Sequence, residues 1–333
     1  MMTDNDQPQQ TLTRSKMTSL EMVYPPISNQ EAVWLQDVPE VEDLLRRSDF
    51  YMIAARAEAR FLDLSANEKK HELSFTFAVG DDFRDSVTLK LRELPGVAAH
   101  EEDVYWLEAG EKCIRLWSGP IGKEGSYVLN WFTTEKLIWD RSRNLPGIAG
   151  FDSYRSAAVY DLLYVGIAKV GDSFDRLISK GHKARMEILA NEPQRFPGAR
   201  VTDEVCLFMF NVQPTVITSF DLDHDFSEED FCPKIDSKRI VADAEKAFIN
   251  LLQPKYNVLK YANYPRGADG LYSSDYIRYA YFINEDIALN TAHGRIKGAR
   301  IFQSPKAVNR ADFIFIEGDT VKLFIAGVDF PAQ

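Results

Sequence analysis

The stretch Glu245–Asn257 reads EKAFINLLQPKYN. Apolar residues recur at helical spacing, from Val241 through Phe248, Ile249 and Leu252, so a helix is predicted over about 238–252. Asp236 or Ser237 supplies its N-terminal cap, and Pro254 ends it because proline cannot continue the backbone ladder. Glu245 lies one turn from Val241 and from Phe248–Ile249, so it borders the face that must pack on a sheet. A carboxylate in that place is costly to bury unless it is paired or binds a cation.

Upstream, AVYDLLYVGIA (158–168) is predicted as a strand, followed by a helix beginning near Ser173 and capped by Ser173 or Asp172. Tyr164 and Gly166 share one face of that strand, and Gly166 opens room beside the phenol for another group. Arg176 falls in the first turn of the next helix, and Lys169 at the junction. A phenol, an ammonium and a guanidinium around one pocket suit phosphodiester chemistry, which needs a group to orient or deprotonate water and fixed positive charge for the developing oxyanion. A single carboxylate, Glu245, with waters and phosphate oxygens is how Mg²⁺ is usually held. A third strand, EVCLFMFNV (204–212), is continuously apolar and reads as buried on both faces.

These segments resemble the GIY-YIG nuclease family. YVGIAK (164–169) looks like the YIG half of its signature, and QPKYNV (253–258) resembles the end of that domain in the bacterial excision-repair incision nuclease, where a Glu stands twelve residues ahead of the Asn, as Glu245 does to Asn257. The resemblance implies a catalytic tyrosine at Tyr164, a catalytic arginine at Arg176, the metal ligand at Glu245 and a structural or site-supporting asparagine at Asn257. It covers about 146–262. It departs from the pattern in two places. No GIY triplet stands ten residues before Tyr164: Tyr154 lies in DSY, Tyr160 is too near Tyr164 for a separate paired strand, and Tyr127, in GSY, is preferred although it requires a long insertion. Members often place a His or Tyr one turn after the Arg; here that position is Lys180, and the nearest histidine is His182, a candidate proton carrier.

The fold implied is α/β (α+β): a small three-stranded sheet flanked by helices over 146–262, between β-rich N- and C-terminal regions. Residues 1–30 are polar and read as a flexible tail, 31–145 as a helix (39–63) plus an antiparallel β module, and 263–333 as a β-rich end. Hairpins are predicted around Gly80-Asp81-Asp82 and Glu317-Gly318-Asp319.

At 333 residues the chain is long enough for two or three domains, and 45% apolar content supplies sizeable cores. No apolar run is long enough to span a membrane, the N-terminus lacks a secretory core, and Cys113, Cys206 and Cys232 are scattered, so a cytoplasmic, reducing location is expected. The net charge of −11 argues against indiscriminate DNA coating. Yet residues 1–150 carry 17 basic and 25 acidic groups, whereas 151–262 carry 14 and 17, and six of those acids sit in DLDHDFSEED (221–230). The candidate site is therefore compatible with a nucleic-acid ligand.

Each candidate also has an ordinary explanation. Arg176 could pair with Asp172 or Asp175, Glu245 with the Lys246 side of its helix, and Asn257 could only cap a turn. Asp221, Asp223, His224 and Asp225 are ligand types without the spacing of a calcium loop. Arg266–Gly270 has the composition of a phosphate loop or an ordinary turn. The expected function is a metal-dependent endonuclease acting on DNA, probed with Mg²⁺ or Mn²⁺, in restriction or antiviral defence. Its β-rich flanks would select the substrate, hold a protein partner or form a homodimer. The alternatives are a nuclease scaffold that binds or regulates without chemistry, and a DNA-repair incision nuclease.

Overall fold

FYMIAA (50–55) is buried at all six positions, the burial expected of a strand with elements packed on both faces. The computed structural model describes residues 12–35, 38–102, 104–168, 171–221, 224, 227–231, 235–300 and 310–330. In it, Phe50–Ala55 is a central strand of a ten-stranded mixed sheet. Val159–Ile167 pairs antiparallel on one side of it and Val205–Phe220 antiparallel on the other. The sheet continues from Val205–Phe220 through Leu12–Met22, Tyr276–Ile283, Phe313–Glu317 and Thr320–Phe324. At the opposite end Val159–Ile167 is followed by Ala288–Thr291 and Gly294–Lys297. Two pairings are parallel, Leu12–Met22 with Tyr276–Ile283 and Val159–Ile167 with Ala288–Thr291.

This overturns the expected small three-stranded sheet. The two strands predicted for the 146–262 segment do not pair with each other. Phe50–Ala55, which the sequence pattern assigns to a helix over 39–63, lies between them, and only Pro39–Leu45 of that span is helical. Leu12–Met22, placed in a polar tail, forms an eleven-residue antiparallel ladder with Val205–Phe220. Residues 1–11 lie outside the described residues. Strands from all four sequence regions thus share one sheet, and the segment boundaries do not divide it.

The antiparallel β module expected after residue 63 is present, and its first strand begins earlier, inside the span read as helix. Ala59–Asn67, Glu72–Val79, Phe83–Lys90 and Ile148–Gly150 form a four-stranded sheet, and Trp106–Ala109, Cys113–Trp117 and Val128–Thr133 a three-stranded one. The hairpins turn at Gly80 and Gly318, whose φ values of 52° and 54° favour glycine. Cys113 and Cys206 are free thiols, and Cys232 lies outside the described residues. Among the described residues, no helix is long and apolar enough to cross a membrane.

The helix Ser237–Leu252 starts where predicted, with the Asp236 side chain accepting from the Arg239 N–H at 3.1 Å. Its chain leaves through Gln253 in the left-handed region (φ 47°), and Pro254 follows. Ala244, Ala247, Phe248 and Leu252 are fully buried against the sheet, where Phe248 meets Phe50 edge-on at 5.8 Å. Each large side chain so buried contributes about 1.5–3 kcal/mol. Packing of this one face fixes the helix and sets the height of Glu245 beside the sheet.

Candidate functional site

Five of the six sequence candidates, Tyr164, Arg176, His182, Glu245 and Asn257, line one cavity of about 600 Å³. Tyr127 does not. It is more than half exposed beside Val128–Thr133, and its ring lies edge-on to His100. The preferred assignment of Tyr127 as the first tyrosine is therefore corrected. Tyr154 and Tyr160 are also engaged elsewhere: the Tyr154 hydroxyl donates to Asp286 at 2.5 Å and that of Tyr160 to Glu135 at 3.3 Å.

The tyrosine beside Tyr164 is Tyr51. The strand register sets Tyr51 opposite Gly166, and the two phenol rings stack with centroids 6.2 Å apart. A bulge between Leu162 and Tyr164 brings the Tyr164 ring to the Tyr51 face. Gly166 is required there. A Cβ at this position would lie 2.7 Å from Tyr164 Cε1, Tyr51 Cζ and Tyr51 Oη. Sequence reasoning missed Tyr51 because helical spacing upstream carried over into a run with no period. The signal present was the run itself, six apolar residues of strand length after Ser48-Asp49, like the run correctly read in 204–212.

Arg176 sits in the short helical segment Asp175–Ser179, whose first turn Asp172 caps by accepting from the Asp175 N–H at 2.8 Å. The ordinary pairing of Arg176 with these acids does not occur, because Arg46 takes both Asp172 (2.6 Å) and Asp175 (2.9 Å), and Lys180 adds a second bond to Asp175. Arg176 Nε instead donates to the Tyr51 hydroxyl at 2.9 Å. Lys169 lies outside the described residues.

His182 caps the helix Lys183–Asn191, its Nδ1 accepting from the Arg185 N–H at 3.2 Å. That bond leaves Nε2 to carry the ring proton, which faces the Tyr51 hydroxyl at 2.9 Å. Burial, and then the charges of Arg176 and Arg185, lower the His182 pKa to about 4. The imidazole is thus a neutral donor at ordinary pH. The Tyr51 oxygen accepts from both Arg176 and His182, while burial holds its pKa above the usual phenol range. Burial, and then the nearby Glu245 charge, raise the Tyr164 pKa.

Asn257 is a clamp. Its side-chain amide accepts from the Val165 N–H at 2.9 Å and donates to the Val165 carbonyl at 2.8 Å, and the Tyr256 N–H bonds the Leu163 carbonyl. Ala288–Thr291 stops pairing with this strand at Asp161, so Asn257 supplies the missing peptide-like partner on that edge. The Lys-Tyr-Asn turn thereby fixes the strand that carries Tyr164.

Glu245 is about nine-tenths buried at the cavity wall. The neighbouring Lys246 bonds Asp269. Among the described residues, no three His, Cys, Asp or Glu side chains are grouped to hold a metal ion. A divalent cation at this place would rest on one protein carboxylate, facing an open cavity with room for the waters and phosphate oxygens that Mg²⁺ retains. The donor set fits that hard, oxygen-seeking ion.

Among the described residues of the acidic loop, none lines this cavity. His224 pairs with Asp230 at 3.1 Å, and Asp223 and Asp225 lie outside the described residues. Arg266 forms a two-armed bond to Asp319 on the 317–320 turn. No family model, curated protein or solved structure matches the chain.

Proposed function

We propose that the protein is a metal-dependent endonuclease with chemistry of the GIY-YIG type, hydrolysing phosphodiester bonds of duplex DNA, with restriction or defence against foreign DNA as its setting. The observation that carries this reading is the Tyr51 hydroxyl, 2.9 Å from both Arg176 and His182, behind a cavity that Tyr164 and Glu245 line. Glu245 would hold Mg²⁺ or Mn²⁺. Bound there, the cation supplies charge neutralisation on the phosphate and at the leaving oxygen.

The remaining work falls to this chain's own groups. Of the Tyr51–Tyr164 pair, Tyr164 is the one that lines the cavity; burial keeps its phenol protonated, so it orients the attacking water by hydrogen bonding, and the water's proton passes to solvent as the new P–O bond forms. The bond to the leaving oxygen breaks, and that oxygen is protonated by solvent. The Arg176 guanidinium also lines the cavity and opposes the charge that grows on the phosphate oxygens. His182 is a positioning residue: neutral and held by its helix, it fixes the Tyr51 hydroxyl without adding a charge near the cation.

Supercoiled plasmid incubated with Mg²⁺ or Mn²⁺ tests this reading. Cleavage by the wild type and none by a folded Glu245→Ala variant is expected. Undiminished cleavage by the variant would contradict it.

A further inference from the structure

A second cavity, of about 590 Å³, lies between the helix Asn29–Leu35 and the three-stranded sheet, away from the residues of the first. Its walls are aromatic. Tyr24 and Trp131 lie side by side with ring centroids 6.4 Å apart and a 32° tilt. Trp34 lines the same cavity from the helix and is 62% exposed, a large apolar ring left in solvent. Scattered exposed apolar residues need no explanation, but a tryptophan that faces an aromatic-walled cavity of ligand size does.

Polar side chains stand among these rings. Glu31 lines the cavity and belongs to a capping box: its carboxylate accepts from the Ser28 N–H at 2.7 Å, while the Glu31 N–H donates to Ser28 Oγ at 3.1 Å. This locks the carboxyl in place, and burial raises its pKa. Lys112, Arg115 and Arg200 line the cavity beside Glu135 and Asp203, with Lys112 paired to Glu58 at 2.6 Å and Arg115 to Glu108 at 3.1 Å. Flat apolar faces select a planar ring, and a fixed carboxyl reads a ring edge with N–H groups.

We propose that this cavity is a second ligand site that takes a purine or pyrimidine base, and that its occupancy is relayed to the first cavity. The relay is a chain of buried contacts. Asn29, the first residue of the cavity's helix, accepts from the Arg185 guanidinium through its side-chain oxygen and its backbone carbonyl. Arg185 also holds the Leu177 carbonyl at 2.8 Å, next to Arg176, and its N–H is the one that His182 Nδ1 accepts. A ligand that shifts the helix Asn29–Leu35 therefore pulls on the residue that sets the His182 ring. The base could belong to a free nucleotide or to a nucleotide turned out of a duplex.

Binding is measured by tryptophan fluorescence on the Glu245→Ala protein, so that the result does not depend on cleavage. The probes are the four 5′-mononucleotides, a fully paired DNA duplex and the same duplex with one mismatch. Saturable binding is expected, weakened at least tenfold by Trp34→Ala and by Glu31→Gln with an unchanged melting temperature. Trp34 is exposed, so its removal should leave the fold intact. Binding of mononucleotides identifies a free nucleotide as the source, and binding of the mismatched duplex in preference to the paired one identifies an extruded base. Occupancy should also move the imidazole ¹H–¹⁵N resonances of His182. No saturable binding, or binding indifferent to both substitutions, would overturn the site, and binding that leaves the His182 resonances in place would overturn the relay.

Discussion

The Tyr51 hydroxyl receives Arg176 Nε and His182 Nε2 at the same distance, 2.9 Å. Tyr51 lies 125 residues before Arg176 and 131 before His182. The three meet because Phe50–Ala55 enters the sheet between the strands Val159–Ile167 and Val205–Phe220. Arg46, at the end of the helix that precedes Tyr51, binds the acids that would otherwise hold Arg176. One N-terminal segment thus supplies the phenol and frees the guanidinium to reach it.

Gly166→Ala should damage this site most selectively. The added methyl meets both phenol rings at 2.7 Å, and ring atoms cannot yield as a flexible chain end would. A cost of about 1–3 kcal/mol is expected from overpacking, with DNA cleavage reduced by more than that loss of stability explains. Thermal unfolding and single-turnover cleavage of the same preparation check it. An active variant would show that the rings are not held where catalysis needs them.

Asn257→Ala should act through the strand. It leaves the Val165 N–H and carbonyl without their side-chain partner on a buried edge, at a cost of about 1–3 kcal/mol. Urea unfolding measures it. A variant as stable as the wild type would remove the clamp assignment.

His182 gives a pH dependence with a defined sign. Its pKa falls from 6.5 to about 4 on folding, so between these values the unfolded chain binds more protons. Its contribution to stability is complete above about pH 6.5 and is lost as pH falls toward about 4. Asp49, pushed up to about 6 by burial, acts in the opposite direction over the same window, so the comparison must be with His182→Gln at each pH. Wild-type stability should fall more steeply than that of the variant on acidification, measured by chemical unfolding. Parallel curves would contradict the buried neutral imidazole.

Much of the local structure was legible in the sequence. Asp236 and Pro254 bracket a helix whose apolar face is periodic, and the alternation in 72–90 and 313–324 gives both hairpins with their glycine turns. The order of the sheet was not legible. Phe50–Ala55 is buried on both faces, so it has no alternation to mark it as a strand. Leu12–Met22 was hidden for the opposite reason. Its buried face carries Lys16 and Thr18 beside Leu20 and Met22, and Lys16 is accommodated by the Tyr276, Tyr279 and Tyr281 rings within 5.6 Å of its ammonium. Polar residues whose burial depends on a distant strand look like a solvated tail in one dimension. At the site, Tyr164, Arg176, His182, Glu245 and Asn257 were singled out through the family resemblance, while Tyr51 required the register.

The most direct test is single-turnover cleavage of labelled duplex DNA with Mg²⁺ by the wild type, Tyr51→Phe and Tyr127→Phe. Loss of the Tyr51 hydroxyl removes the group that links Arg176 and His182, so a decrease of about a hundredfold or more is predicted, while Tyr127→Phe keeps the wild-type rate. Cleavage by Tyr51→Phe at the wild-type rate, or no cleavage by the wild type itself, would contradict the account.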